Sequence, residues 1–201
     1  MTSADAAVLA YFASRAAGYD AAGRRGIWAW QRRREAATIL ALAGEVAGRS
    51  VLDLGCGCGF YARLLAAEGA GPVVAVDAVP AMLDQLDDPN IETIAGDIAR
   101  IELERRFDRV ILAGVLEFAA EPGAVLANAR RHLAPQGRIV TLTPPANPAG
   151  RIYRAFHHRH GFHIGLFTPV RLAAVVDEAG LRVTASRFVP PYGMVHAMAS
   201  R

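Results

Sequence analysis

The run Val51-Leu52-Asp53-Leu54-Gly55-Cys56-Gly57-Cys58-Gly59-Phe60 constrains this chain more than any other segment. Four residues suited to a buried strand enter a turn with glycine at 55, 57 and 59, and apolar residues then recur at helical spacing over 60–68. Strand, glycine turn and helix in that order let the backbone approach a ligand closely outside the carboxyl end of the strand, where open α/β sheets bind. Composition removes two phosphate-binding readings of such a turn. All 22 basic residues are arginine, so the P-loop lysine is missing, and lysine bases and Schiff bases are excluded with it. The dinucleotide fingerprint needs its third glycine at position 60, where Phe60 stands.

The rest of the chain alternates between short apolar runs and helical patterns. Strands are expected at 51–54, 73–76, 91–95, 109–113 and 138–142, with helices opening at Phe60 and Pro80 and an apolar helix over 123–133. Such alternation implies a parallel sheet covered on both faces. Two helices precede the first strand, over 4–17 and 27–47, the second stopping at Gly48. Pro144, Pro145 and Pro148 then break the chain, an aromatic and histidine-rich stretch covers 153–167, and Thr168-Pro169 caps a helix that ends at Gly180. Runs at 182–189 and 193–199, separated by Pro190-Pro191, close the sheet as a hairpin. The expected architecture is one α/β domain with a doubly wound, seven-stranded, mostly parallel sheet, an antiparallel C-terminal strand and an N-terminal helical lid. Its parts are a lid over 1–48, a ligand-binding core over 49–145, a pocket-forming insertion over 146–167 and a C-terminal helix and hairpin over 168–201.

The charge is +3 and 53% of the 201 residues are apolar, which suits a well-buried globular chain. Arginines gather at 24–25, 32–34, 105–109 and 130–131, with acids interleaved through most of the rest, and read as solvated helix faces rather than a nucleic-acid patch. The longest apolar runs, such as 110–116, fall far short of the roughly 18 residues of a membrane span. No basic residue precedes the apolar part of the N-terminus, so no secretory signal is expected. Cys56 and Cys58 are too close for an ordinary disulfide and lack the second pair of a structural zinc site, so no metal is expected and a reducing cytoplasm fits.

Three carboxylates fall at strand ends. Asp53 stands at the mouth of the first strand, Asp77 follows the second where it can accept from both ribose hydroxyls of a nucleoside, and Asp97, in Gly96-Asp97-Ile98, can meet an adenine amino group. This acidic edge suits a ligand carrying ammonium and sulfonium groups better than one carrying phosphates.

Together these motifs resemble the class I methyltransferases dependent on S-adenosylmethionine, in the small-molecule branch that includes the ubiquinone and menaquinone biosynthesis enzymes. The matching residues are 51–59, Val-Val-Ala-Val-Asp at 73–77 with Pro80-Ala81-Met82-Leu83 behind it, Gly-Asp at 96–97, Phe-Asp-Arg-Val-Ile at 107–111, Val-Leu-Glu at 115–117 and the turn at 131–137. The resemblance implies a Rossmann-like fold with S-adenosylmethionine as cofactor. It implies that Gly55, Cys56 and Gly57 bind the methionine part with Asp53 beneath its amino group. It further implies Asp77 on the ribose, Ala78 and Met82 flanking the adenine, Gly96, Asp97 and Ile98 at its edge, Ala113 lining the pocket, and Tyr19 reaching the methionine carboxylate. Many relatives carry histidine where this chain has Phe118, so that histidine's role does not transfer. The Asn-Pro-Pro-Tyr type signature of base and glutamine methylation is absent at 112–115.

The expected activity is methyl transfer to a small hydrophobic or aromatic metabolite at oxygen, carbon or nitrogen. The alternatives are a macromolecular acceptor, protein or RNA, or a non-catalytic regulator that binds the cofactor. Four of six histidines lie in 157–163, and of these His157 and His160 are the candidates for a base or acceptor contact. Ile27-Trp28-Ala29-Trp30-Gln31-Arg32-Arg33-Arg34 has two readings: a lid helix packing its tryptophans over the site, or a peripheral membrane contact.

Overall fold

The computed structural model describes residues 3–23 and 26–201; side chains at 3–5, 20–23 and 27–28 are not described. Among the described residues, seven strands form one sheet in the order β3-β2-β1-β4-β5-β7-β6. They are β1 (Val51–Leu54), β2 (Val73–Asp77), β3 (Ile91–Ala95), β4 (Phe107–Ala113), β5 (Leu133–Thr143), β6 (Leu181–Val189) and β7 (Gly193–Ser200). β1 to β5 pair in parallel, and β7 runs antiparallel to both β5 and β6. The strand order reverses between β1 and β4, which opens a crevice at their carboxyl ends.

Strand alternation assigns each face of the sheet. The even-numbered residues Leu52, Leu54, Val74, Val76, Val110 and Leu112 pack with Val125, Leu126 and Ala129 of α5 (Pro122–Arg131) and with Leu172 and Val176 of α7 (Pro169–Glu178). The odd-numbered Val51, Val73, Ala75 and Ile111 pack with Ile39, Leu42 and Ala43 of α2 (Gly26–Ala43) and with Ala62 and Leu65 of α3 (Phe60–Ala67). A period of two on a sheet covered on both sides requires apolar residues at both parities. Asp53 is the exception, and its odd number puts it beneath the start of α3.

Several boundaries differ from the sequence expectation. β5 starts at Leu133 and not at 138, taking the end of the helix expected over 123–133, and α5 stops at Arg131. α1 (Ser3–Gly23) continues past residue 17. α2 ends at Ala43 and not at Gly48, because Gly44 comes first, adopts φ 73° and donates its amide to Leu40; Gly48 instead turns the chain toward Gly69. The proline-broken stretch contains a helix, α6 (Pro148–His158), in which Asn147 caps by accepting from the Gly150 amide at 2.7 Å and Pro148 takes the first turn. A short helix, α4 (Pro80–Leu83), follows β2.

Not every arginine is a solvated one. Arg138 donates to the Leu42 carbonyl at 2.7 Å, and Arg109 donates to the Ala43 and Glu45 carbonyls at 2.6 and 2.8 Å. Both guanidinium groups therefore close the carbonyl end of α2, where a positive charge also opposes the helix dipole. Removing either strands carbonyls at a half-buried helix end. Arg138→Met is expected to lower stability by about 1–3 kcal/mol, read as a shifted urea midpoint with an unchanged slope; an unshifted midpoint would refute the capping role.

Candidate functional site

The crevice at the strand reversal holds a cavity of about 790 Å³. The turn after β1 forms its floor. The Gly55 and Cys56 amides donate to the Val76 carbonyl at 2.7 and 3.0 Å, and the Gly57 amide donates to Asp77 Oδ2 at 2.8 Å. A Cβ on Gly55 would stand 2.6 Å from Val115, and one on Gly59 2.5 Å from Leu86, whereas over Gly57 nothing lies within 4 Å. The first and third glycines thus permit close packing, and the second leaves open space for a ligand.

Of the residues singled out for the cofactor, Tyr19, Gly55, Cys56, Gly57, Asp77, Ala78, Met82, Gly96, Asp97, Ile98 and Ala113 all line this cavity. Asp53 does not; it lies beneath the turn, 1% exposed, with one oxygen accepting from the Ala62 amide and Oδ2 without a hydrogen-bond partner among the described residues. Burial first, and the Asp77 charge second, push its carboxyl up to about 7. Asp77 spends one lone pair on Val79 and one on Gly57, and keeps others for ligand hydroxyls. Asp97 is half exposed and turns its Oδ1 to the Ala99 amide.

The lid end is aromatic. Cys58 joins α1 to the floor through its thiol, which lies 3.8 Å from the Ala16 carbonyl and 3.2 Å from the Met82 sulfur. Phe12 of α1 stands edge-on to Tyr19 and to Phe118, with centroids 5.8 and 5.2 Å away. Val8, Leu9, Phe12 and Phe118 supply an apolar wall.

His157 and His160 do not reach the cavity. His157 is 5% exposed and its ring nitrogens have no partner among the described residues; Tyr11, Phe118, Tyr153, Phe156 and Phe162 surround it. Burial holds its pKa down near 4, so it is neutral at pH 7. His160 Nδ1 pairs with the Phe156 carbonyl. The aromatic content of α1 and α6 explains the difference: rings fill the space that a base would need to cross. Trp30 is 48% exposed beneath Arg34, and the Trp28 side chain lies outside the described residues, as do Arg24 and Arg25.

Sequence reasoning missed two groups. Arg32, read as part of a solvated run, turns into the cavity with its guanidinium 4.8 Å from the Phe60 ring centroid. Glu117, quoted only as a motif letter, is 4% exposed with Oε2 unpartnered, and a Cβ on Gly114, a lining residue, would sit 3.8 Å from its Oε1. Burial raises its carboxyl to about 8. A carboxyl raised on folding contributes stability that is complete below its ordinary pKa and lost as pH rises through the folded value. With Asp53 raised from 3.8 to about 7 and Glu117 from 4.5 to about 8, the free protein should melt at falling temperatures from about pH 4 to about pH 8 and level off above that. Glu117→Gln should flatten that decline in a circular-dichroism melt, and an equally steep decline would refute the burial of an ionisable Glu117.

Among the described residues no cluster of three metal-ligating side chains occurs, and no helix is long and apolar enough to cross a membrane. The residues present fit a nucleoside with a charged amino-acid tail: an orphaned buried carboxylate, open space over Gly57, and carboxylates at three strand ends.

The model of a methyltransferase domain family matches residues 27–186. The cypemycin N-terminal methyltransferase of a Streptomyces species is 40% identical over 108 residues, 49% of this chain and 44% of that protein. The tRNA U34 carboxymethyltransferase of Pseudoalteromonas translucida is 30% identical over 126 residues, 59% of this chain and 37% of that protein. The chain therefore spans less than half the length of these relatives. The structure of magnesium protoporphyrin IX methyltransferase from Synechocystis with bound S-adenosylhomocysteine superposes with a TM-score of 0.75 at 17% identity, covering 96% of this chain and 98% of that one. Family model, sheet order and cavity agree, and the chain belongs to the class I methyltransferases that use S-adenosylmethionine.

Proposed function

We propose that the protein transfers the methyl group of S-adenosylmethionine to a small hydrophobic or aromatic acceptor. One observation carries this reading: the strand-end carboxylates Asp77 and Asp97 and the apolar wall of α1 and Phe118 line a single cavity. Its volume, about 790 Å³, lies within the range of roughly 300–1,000 Å³ usual for small-molecule sites.

The cofactor brings a methyl group already activated on a sulfonium, so alignment is the protein's main contribution, up to roughly 7–11 kcal/mol in favourable cases. In this reading Asp77 holds the ribose, Ala78 and Met82 lie against one side of the adenine with Gly96, Asp97 and Ile98 at its edge, and Gly55, Cys56, Gly57 and Ala113 frame the methionine part. Asp53 offers negative charge beneath the amino group, and Arg32 with Tyr19 receives the carboxylate. The division into lid, core, insertion at 146–167 and C-terminal hairpin follows the same reading. Two free, buried cysteines agree with a reducing cytoplasm. His157 and His160 support the wall behind Phe118 rather than acting as bases.

A macromolecular acceptor is the second reading. Relatives named for a tRNA and for the N-terminus of cypemycin favour it, and the tRNA enzyme weighs against excluding nucleic acid.

Calorimetry with S-adenosylhomocysteine is expected to show a single site. Asp77→Asn and Arg32→Met should each weaken it at least tenfold, roughly 1.4 kcal/mol or more, with unchanged circular dichroism. A protein that binds neither S-adenosylhomocysteine nor S-adenosylmethionine would refute the reading.

A further inference from the structure

We propose that the outward face of α6 docks the protein on an anionic lipid surface.

α6 is buried on one side only. Gly150 and His157 are buried, Tyr153 stacks on Tyr192 with centroids 5.2 Å apart, and the His157 ring stands 5.4 Å from Phe118 of the cavity wall. The outward side carries Ile152 and Phe156, four residues apart and so neighbours along the helix surface. Ile152 is 72% exposed and Phe156 48%. Arg151, Arg154 and Arg159 are exposed around them, and none has an ion-pair partner among the described residues. A line of rings continues the patch onto α1. Phe156 lies 4.6 Å from His160, His160 lies 5.2 Å from Tyr11, and the exposed Arg15 places its guanidinium 4.6 Å from the Tyr11 ring.

The charge along this part of the chain has one sign. Residues 122–176 hold seven of the 22 arginines and five of the six histidines, but none of the 19 acidic residues. Arginines elsewhere are occupied: Arg109 and Arg138 close α2, Arg105 pairs with Glu92, and Arg171 donates to the Leu166 carbonyl. The guanidinium groups of α6 have no such duty, and a face of one sign attracts a polyanion.

Among polyanions, a lipid surface accounts for the apolar pair as well. On an interfacial helix, aliphatic and aromatic side chains enter the acyl boundary while flanking arginines stay with the anionic headgroups. Their long stems let the charge remain there as the helix settles. A nucleic acid would engage the arginines, but Ile152 has no ring to stack on a base, and the patch is the outside of a helix, not a groove that tracks a strand. The other segment with this composition, at 27–34, is less suited to insertion, because the Arg34 guanidinium covers the Trp30 ring at 4.6 Å. With Phe118 behind it and lipid in front, α6 brings the apolar end of the cavity to the bilayer.

The test is flotation of the whole chain, without cofactor, on phosphatidylcholine vesicles with and without about one-third phosphatidylglycerol. The protein is expected to partition at least tenfold more strongly onto the anionic vesicles, and less strongly as salt is raised toward about 1 M, where screening is nearly complete. I152S/F156S and R151Q/R154Q/R159Q should each lower partitioning at least tenfold, with circular dichroism and S-adenosylhomocysteine affinity unchanged. If either does not fold, the single substitutions I152S and R154Q are read instead, each with a loss of at least threefold. No binding to anionic vesicles, equal binding to neutral ones, binding that survives these substitutions, or binding lost on W30S but kept in the α6 variants would overturn the proposal. So would an RNA oligonucleotide that binds through the same arginines while vesicles do not. Flotation needs no cofactor, so its failure leaves the methyltransferase reading standing, and a chain that floats but does not bind S-adenosylhomocysteine overturns that reading alone.

Discussion

The Gly55 and Cys56 amides meet at the Val76 carbonyl, and the Gly57 amide reaches the Asp77 carboxylate. These hydrogen bonds tie the turn after β1 to the end of β2, and the cavity takes its shape from that tie. They form only because Gly55 and Gly59 carry no side chain against Val115 and Leu86. They also place Asp77 in two roles, as the acceptor that fixes the turn and as the carboxylate that faces a ligand. Donors for the floor come from the protein itself, so the turn is built before a cofactor arrives.

Electrostatics at the site follow from the same packing. The parity of β1 puts Asp53 under α3, out of water and close enough to Asp77 to be pushed up by it. Glu117 is buried in the wall behind Gly114. Both carboxyls oppose stability when ionised in the free protein, and a cationic ligand would reverse that sign. The two N-terminal helices are secured differently. Arginines close the end of α2, whereas described contacts of α1 with the floor and wall run through sulfur, methyl and ring edges.

Much of the fold is legible in the chain because strand and helix patterns follow local rules. Val73-Val74-Ala75-Val76 admits little but a strand buried on both faces, and Thr168-Pro169 and Gly180 punctuate α7 by cap chemistry. The misreadings have the same physical origin. Gly44 ended α2 before Gly48 because the first residue free to adopt positive φ takes the cap. Asn147-Pro148 started a helix inside a run that its prolines made look broken, although asparagine followed by proline is a helix start in its own right.

By itself the sequence determined the alternating strands, the glycine turn and the acidic strand ends, since each depends on residues adjacent in the chain, and the resemblance these motifs carry implied the cofactor. The tertiary structure decided which distant residues line the cavity. Phe12, Tyr19, Arg32, Tyr61 and Phe118 come from separate parts of the chain, and no local pattern marks them. Only the folding of α1, α2 and α3 onto the strand ends brings them together. The same packing kept His157 away from the cavity, because the rings beside it in space, and not those beside it in sequence, filled the gap.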